Sequence, residues 1–170
     1  MITKLNSFIL ESKNNIILDY IFNNFNIKKI LKQFNNDNED EVLSITEFNN
    51  IINELVNNIE YKNNLITVYR KILVKNNIVN NPLGISWAFN YNSAKIYNGF
   101  DYDNLNPIII KANTKLESID FENTIYLYCL FHKTSNPENE IKLKKSQKLF
   151  NVMTTIDGIK YLSLEGDFNS

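Results

Sequence analysis

Two spacings of apolar residues divide the chain near residue 64. From 13 to 34, and again from 48 to 59, apolar side chains recur every three or four positions, which is the spacing of one helix face. The first stretch predicts one or two helices, broken near Asn23–Asn26, and Ser44 or Thr46 is predicted to cap the helix of the second. Beyond residue 64, β-branched and aromatic runs between polar turns predict strands. Helices followed by strands predict an α+β fold.

The second part of the chain is predicted to contain one short helix, Asn92–Asn98, among its strands. The run Thr124–Phe131 is almost wholly apolar and predicts a strand buried on both faces. Asp157-Gly158 predicts a hairpin turn. The predicted strands are 65–74, 84–89, 107–112, 124–131, 140–143, 148–153 and 160–164.

The first twelve residues are set apart as a candidate leader. Leu5, Phe8 and Ile9 fall at helical spacing, and Ile9-Leu10-Glu11 has the Leu/Ile-x-Glu form of a prohead protease site. This start resembles the capsid-targeting leader of internal head proteins in large tailed phages. The resemblance implies a protein packaged in a virion, whereas a small amphipathic helix is the alternative.

Composition excludes several classes of function. The chain has 18 Lys and Arg against 19 Asp and Glu, a net charge of −1, so there is no overall basic field for nucleic acid. One His cannot form a histidine-rich metal site. Cys129, the single cysteine, cannot form an internal disulfide and is predicted to be a buried thiol in a reducing compartment. No apolar run reaches the length of a membrane span, and no secretory signal is visible.

Arg70 is the only arginine among the 18 basic residues. It lies inside the predicted strand 65–74. A guanidinium presents a planar fork to phosphate or carboxylate, which an ammonium cannot do. An arginine in a chain that otherwise uses lysine therefore indicates an anion-binding position, with an ion pair on the sheet surface as the alternative.

Two carboxylates, Glu138 and Glu140, follow a polar turn that contains Asn136-Pro137. Side chains two positions apart on a strand point to the same side, so both acids are expected on one face at the mouth of a strand. Such a pair can stabilise a developing cation and activate a nucleophile. The alternative is two solvated acids beside a turn.

Three motifs in this order resemble the Arg-Ser-Glu class of mono-ADP-ribosyltransferases, including phage and bacterial-toxin enzymes. That family has Tyr-Arg-Gly on its first strand, Ser-Thr-Ser before a helix, and Glu-x-Glu before a later strand. Here Tyr69-Arg70-Lys71, Ser86-Trp87-Ala88 and Glu138-Asn139-Glu140 stand in the same order over residues 65–165. Lys71 takes the place of the family's glycine, and Trp87 and Ala88 replace the second and third members of Ser-Thr-Ser. The downstream Lys148-Leu149-Phe150-Asn151-Val152 also fits the pattern.

The resemblance implies a fold and a set of site residues. The fold is a helical N-terminal region, 13–64, followed by a split β-sandwich of the ADP-ribosyltransferase type, 65–170, together forming one domain. Glu140 would face the ribose of NAD, Ser86 would hold Glu140, and Glu138 would face the acceptor. The residues implied to bind NAD are Arg70 at the pyrophosphate, then Lys71, Ser86, Trp87, Tyr97 and Phe100.

The implied function is transfer of ADP-ribose from NAD to a host protein, with release of nicotinamide and without a metal. In the family, Glu-x-Glu goes with arginine acceptors, so Glu138 favours arginine. Nucleic acid is the weaker acceptor, although Lys142, Lys144, Lys145 and Lys148 form a local lysine patch. Plain NAD hydrolysis and a non-catalytic virion or interaction protein remain as alternatives. We expect a monomer in the cytoplasm of the target or host cell, or packaged in a virion.

Overall fold

The computed structural model describes residues 14–74, 84–96, 106–131, 139–144 and 150–155. Within them, three helices come first, which agrees with the predicted α+β fold, and two more helices lie between strands, where the sequence predicts one. The helices are α1 (14–24), α2 (Ile27–Asp37), α3 (Ile45–Asn58), α4 (Tyr91–Ile96) and α5 (Phe121–Phe131), with short 3-10 turns at Glu39–Glu41 and Leu116–Ser118.

Side-chain caps explain where the N-terminal helices begin. The predicted break lies between α1 and α2, where the Asn26 side chain accepts a hydrogen bond from the backbone of Lys29. At α3, Ser44 and Glu47 form a reciprocal capping box: each side chain accepts from the backbone N–H of the other residue. Both orphan donors at this helix start are thereby satisfied. Ser44 is thus the cap, and the sequence prediction is confirmed.

We expect Ser44→Ala to lower the free energy of unfolding by about 1 kcal/mol, because the Glu47 N–H loses its side-chain acceptor. Thr46→Ala, at an exposed position in the first turn of the same helix, is the matched control. It should leave stability unchanged or raise it slightly, since alanine is the better helix former. Urea unfolding of both variants measures the difference, and equal stability would contradict the capping role.

In the part of the chain that the structure describes, six strands form one antiparallel sheet in the order β5-β3-β2-β4-β6, with β1 also beside β2. The longest strands, β2 and β4, pair along nine positions from Ile66–Thr114 to Val74–Asn106 and form the centre of the sheet. The strand bounds are β1 (Glu60–Lys62), β2 (Leu65–Val74), β3 (Ser86–Ala88), β4 (Asn106–Thr114), β5 (Glu140–Lys142) and β6 (Phe150–Thr155).

The prediction of a strand at Thr124–Phe131 is wrong, because this run lies in helix α5. Asp120 caps the helix: its carboxylate accepts from the backbone N–H and the side chain of Asn123. A run with apolar residues on all sides lacks the polar stripe that distinguishes a helix from a strand. Its aromatic and β-branched composition favoured a strand, while the cap at Asp120, three residues before Asn123, was the sequence signal for a helix.

The two faces of the sheet have different surroundings. One face packs with α1, α2, α3 and α5 in the main core, which includes Val68, Trp87, Ile110 and Ile141. On the other face, α4 contacts β2, β3 and β4 around a small cluster of Tyr69, Ala88, Ala94 and Ile109. These described strands form a single sheet, and the second sheet of the predicted sandwich is not among them.

Cys129 lies in α5 within the main core and is 1% exposed. Burial raises the pKa of its thiol to about 12, so it stays protonated at physiological pH. The prediction of a buried thiol is confirmed. No helix in the described ranges combines the length and apolarity that a membrane crossing requires.

Candidate functional site

A cavity of about 240 Å³ opens on the α4 face of the sheet, between β2 and β3. Register explains why distant residues meet there: Glu140 lies opposite Ala88, and Ala88 lies opposite Tyr69, so these side chains share a face. The residues that line the cavity are Tyr69, Arg70, Lys71, Ser86, Trp87, Ala88, Ser93, Ala94 and Glu140.

Strands β2 and β3 pair only at Tyr69 and Ala88 among the described residues. Farther along, the Arg70 guanidinium takes part in the contact between the strands: its Nη1 donates to the Ser86 carbonyl at 2.5 Å. The two strands are therefore joined here by a side chain where a regular ladder would use backbone N–H groups.

Gly84 gives the Arg70 guanidinium its space. A Cβ at this position would lie 3.0 Å from both terminal nitrogens of Arg70, and the backbone has a φ of +72°, which favours glycine. The Gly84 carbonyl also accepts a hydrogen bond from the Trp87 indole at 3.0 Å. Gly84 thus contacts both the Arg70 guanidinium and the Trp87 indole at the start of β3.

Strand alternation determines the face of the sheet on which the Arg70 side chain leaves β2. Arg70 is opposite Ile110 in the register, so it leaves β2 on the face of the main core, whereas Lys71 leaves on the face of Glu140. Arg70 nevertheless lines the cavity, since it lies at the gap between β2 and β3. It therefore has a structural contact and a ligand-accessible position at once.

Glu140 begins β5 and is held by a lysine. The Lys142 ammonium lies 2.6 Å from Glu140 Oε1 and 2.6 Å from Ser86 Oγ, to both of which it donates. The two side chains of the pair are only 19% and 23% exposed, so water screens the interaction weakly. The resemblance implies that Ser86 holds Glu140, and in the structure the Lys142 ammonium lies between the two side chains and contacts both.

Asn139 fixes the backbone just before Glu140. Its φ of +46° lies in the left-handed region that asparagine tolerates. Its carbonyl accepts from the Phe89 N–H, and its side chain donates to the buried Ser93 hydroxyl at 2.8 Å. Because the chain is not extended at Asn139, the period-of-two argument that placed Glu138 and Glu140 on one face does not hold there. Glu138 lies outside the described residues, so a common face for the two glutamates stays a prediction.

Helix α4 begins one residue earlier than predicted, and Asn90 is its cap. The Asn90 side chain accepts from the backbone N–H of Ser93 at 2.8 Å, and its carbonyl accepts from Ala94. From the sequence, Asn92 or Ser93 was the expected cap, but both residues lie inside the helix. The Ser93 hydroxyl accepts a hydrogen bond from the Asn139 side chain, and this contact connects α4 to the start of β5.

A tyrosine forms the far side of the cavity. The Tyr69 hydroxyl donates to Glu60 at 2.9 Å, and the Lys111 ammonium lies 5.6 Å from the ring centroid. Burial, followed by the hydrogen bond to Glu60, raises the pKa of Tyr69 to about 12, so it remains a neutral donor. Tyr91 of α4 meets its ring edge-on, with the centroids 6.2 Å apart. The Tyr69 ring is thus fixed from three sides.

Of the residues that the sequence assigned to the site, the structure brings together Arg70, Lys71, Ser86, Trp87 and Glu140. Trp87 belongs to the main core, so its ring is not an exposed stacking surface. Glu138, Tyr97 and Phe100 lie outside the described residues. The cavity positions of Tyr69 and Ser93, the contacts of Asn139 and the position of Lys142 beside Glu140 were not predicted from the sequence.

Comparisons with protein-family models, with curated protein sequences and with solved structures found no match for this chain. Within the described ranges, no group of three or more His, Cys, Asp and Glu side chains is arranged to hold a metal. The geometry of the cavity is therefore the observation from which function is argued.

Proposed function

We propose that this protein is a mono-ADP-ribosyltransferase of the Arg-Ser-Glu type, which transfers ADP-ribose from NAD to an arginine of a host protein and releases nicotinamide. One observation carries the proposal: a single cavity is lined by Arg70, Ser86 and Glu140, from three different strands, in a chain whose sequence motifs singled out the same three residues. The proposed fold type is the split sandwich of that family.

The charges of the cavity fit the substrate. Arg70 suits the pyrophosphate of NAD, because its guanidinium can offer a fork of N–H donors to it. Among the described residues of the lining, Glu140 is the one carboxylate. The volume of about 240 Å³ is slightly below the range of roughly 300–1,000 Å³ that is usual for small-molecule sites. The described walls therefore suit the nicotinamide and ribose end of NAD, where the bond breaks.

The proposed chemistry follows from where charge develops. Cleavage of the bond between nicotinamide and ribose leaves positive charge on the ribose, and Glu140 stabilises it from a fixed position. Lys71 and Trp87 border the nicotinamide end, with Tyr97 or Phe100 stacking on the ring. Glu138 orients the acceptor arginine and helps to remove its proton. Ser86 supports Glu140, and the reaction is proposed to need no metal.

The proposal is tested by incubating the protein with NAD, first alone and then with agmatine as an arginine-like acceptor. Release of nicotinamide and formation of ADP-ribosyl agmatine are expected. Nicotinamide release that agmatine does not turn into transfer would favour the alternative of an NAD glycohydrolase. Absence of NAD binding in calorimetry would overturn both and leave a non-catalytic virion or interaction protein.

Arg70→Lys should weaken NAD binding about tenfold or more, since a charge-assisted hydrogen bond is worth roughly 1.5–3 kcal/mol and the forked geometry is lost. The positive charge is kept, so the fold should survive. Lys28→Arg, at an exposed position on α2, is the control and should bind NAD as the wild type does. Calorimetry and urea unfolding are measured on both. A loss of stability with unchanged NAD affinity would reduce Arg70 to its contact with the Ser86 carbonyl.

The host acceptor and the cellular site are part of the same proposal. The protein acts on a host protein in the cytoplasm of the target or host cell, and delivery within a virion would bring it there. Residues 1–12, the candidate leader, lie outside the described residues. Nucleic acid is the less favoured acceptor.

A further inference from the structure

We propose that Lys142 is a positioning residue that connects Ser86 to Glu140 and divides the two oxygens of the Glu140 carboxylate between two tasks. This inference rests on the proposed function, because it specifies how the carboxylate at the ribose is held. Nothing in the sequence motif requires a lysine two positions after the second glutamate.

Lys142 contacts both Ser86 and Glu140. Its ammonium donates to Ser86 Oγ and to Glu140 Oε1, both at 2.6 Å, which is short for hydrogen bonds of a charged donor. Ser86 and Lys142 are directly opposite one another in the register of β3 and β5, so the backbone itself sets their separation. The lysine is therefore held at one end by the strand pair and at the other by the serine.

The Lys142 ammonium contacts one of the two oxygens of the Glu140 carboxylate. Lys142 occupies Oε1, and among the described residues Glu140 Oε2 makes no hydrogen bond. Glu140 lines the cavity. One oxygen thus anchors the side chain, and the other is available to a ribose hydroxyl. A carboxylate with one fixed oxygen cannot rotate freely, which is what preorganised stabilisation of a developing charge requires.

The observed contact through Lys142 differs in its consequences from a direct contact between Ser86 and Glu140. If Ser86 touched Glu140 itself, the two residues would act on each other whether or not Lys142 were present. In the observed arrangement the effect of Ser86 passes through the ammonium. Residues that act in series have non-additive effects on rate, whereas independent residues have effects that multiply.

The experiment compares Lys142→Met, Lys142→Arg, Ser86→Ala and the double variant Ser86→Ala/Lys142→Met in nicotinamide release. Lys142→Met should lower kcat roughly tenfold to a hundredfold, the scale of a misplaced reacting group. KM for NAD should stay nearly unchanged, and Lys142→Arg should restore most of kcat. In the Lys142→Met background, Ser86→Ala should have no further effect.

Lys144→Met is the matched control, since it removes the same charge two residues away, where the ammonium lies over the Phe25 ring. It should leave kcat and KM unchanged. A raised KM with unchanged kcat in Lys142→Met, a raised kcat, or a full effect of Ser86→Ala in the double variant would each overturn the positioning role.

Unfolding separates failure of this inference from failure of the proposed function. If the wild-type protein releases no nicotinamide, the proposed function fails, and the link is then judged by urea midpoints of Ser86→Ala, Lys142→Met and the double variant. Midpoint shifts that do not add show that Ser86 and Lys142 are coupled and retain the link. Shifts that simply add overturn it.

Discussion

Glu140→Gln is expected to slow nicotinamide release about a hundredfold or more, by analogy with the loss of one preorganised group in other active sites. Glutamine keeps the shape of the side chain and can still accept a hydrogen bond from Lys142 at its amide oxygen. What it lacks is the negative charge opposite the cation that develops on the ribose. The change therefore isolates electrostatic stabilisation from positioning.

The measurement is single-turnover release of nicotinamide at saturating NAD, with Glu39→Gln as control. Glu39 is an exposed glutamate on the 3-10 turn Glu39–Glu41, so the same chemical change far from the cavity should leave the rate alone. NAD affinity should change little in Glu140→Gln, because a charge that acts mainly in the transition state alters kcat more than binding. A wild-type rate in Glu140→Gln would remove this residue from the reaction.

Glu138→Gln is expected to abolish transfer to arginine and to spare much of the slower hydrolysis of NAD by water. An arginine guanidinium is protonated in water and is therefore a poor nucleophile. A carboxylate beside it binds the cation and helps to take a proton as the new bond forms. Attack by water depends less on a carboxylate that binds a cation and accepts a proton. Glu138→Gln should therefore slow transfer to arginine far more than hydrolysis of NAD.

The test is a paired assay on one preparation: nicotinamide released without acceptor, and ADP-ribose attached to agmatine. Glu138 lies outside the described residues, so this division of labour rests on the different needs of the two reactions and not on an observed position of that side chain. Equal loss of both activities in Glu138→Gln would mean that the two carboxylates work as a single unit.

The sequence predicts best where one local rule dominates. The break before α2 and the capping box of α3 could be predicted because side chains of the right kind stand at fixed offsets from each helix start. Arg70 and Ser86 could be placed on strands since β-branched and aromatic neighbours surround them. Helix α5 was missed because apolar residues on all its sides remove the periodicity that a helix usually shows.

The site itself could be predicted only in part. The residue types of Arg70, Ser86 and Glu140 are unusual enough in context to be noticed. Lys142 was assigned to a surface patch, because a lysine in a lysine-rich segment carries no signal until register places it opposite Ser86. Asn139 was similarly hidden in a chain rich in asparagine, and only its backbone angle identifies it.

Labelling of the single cysteine can measure how often the core of this protein opens. Cys129 is buried in the main core and does not line the cavity, and its thiol stays protonated in the folded state. A thiol reagent can therefore label it only when α5 leaves the core, so that the labelling rate measures the free energy of that opening. Each variant of the cavity can be checked in this way without introducing another cysteine, and a loss of activity at an unchanged labelling rate is a loss of chemistry.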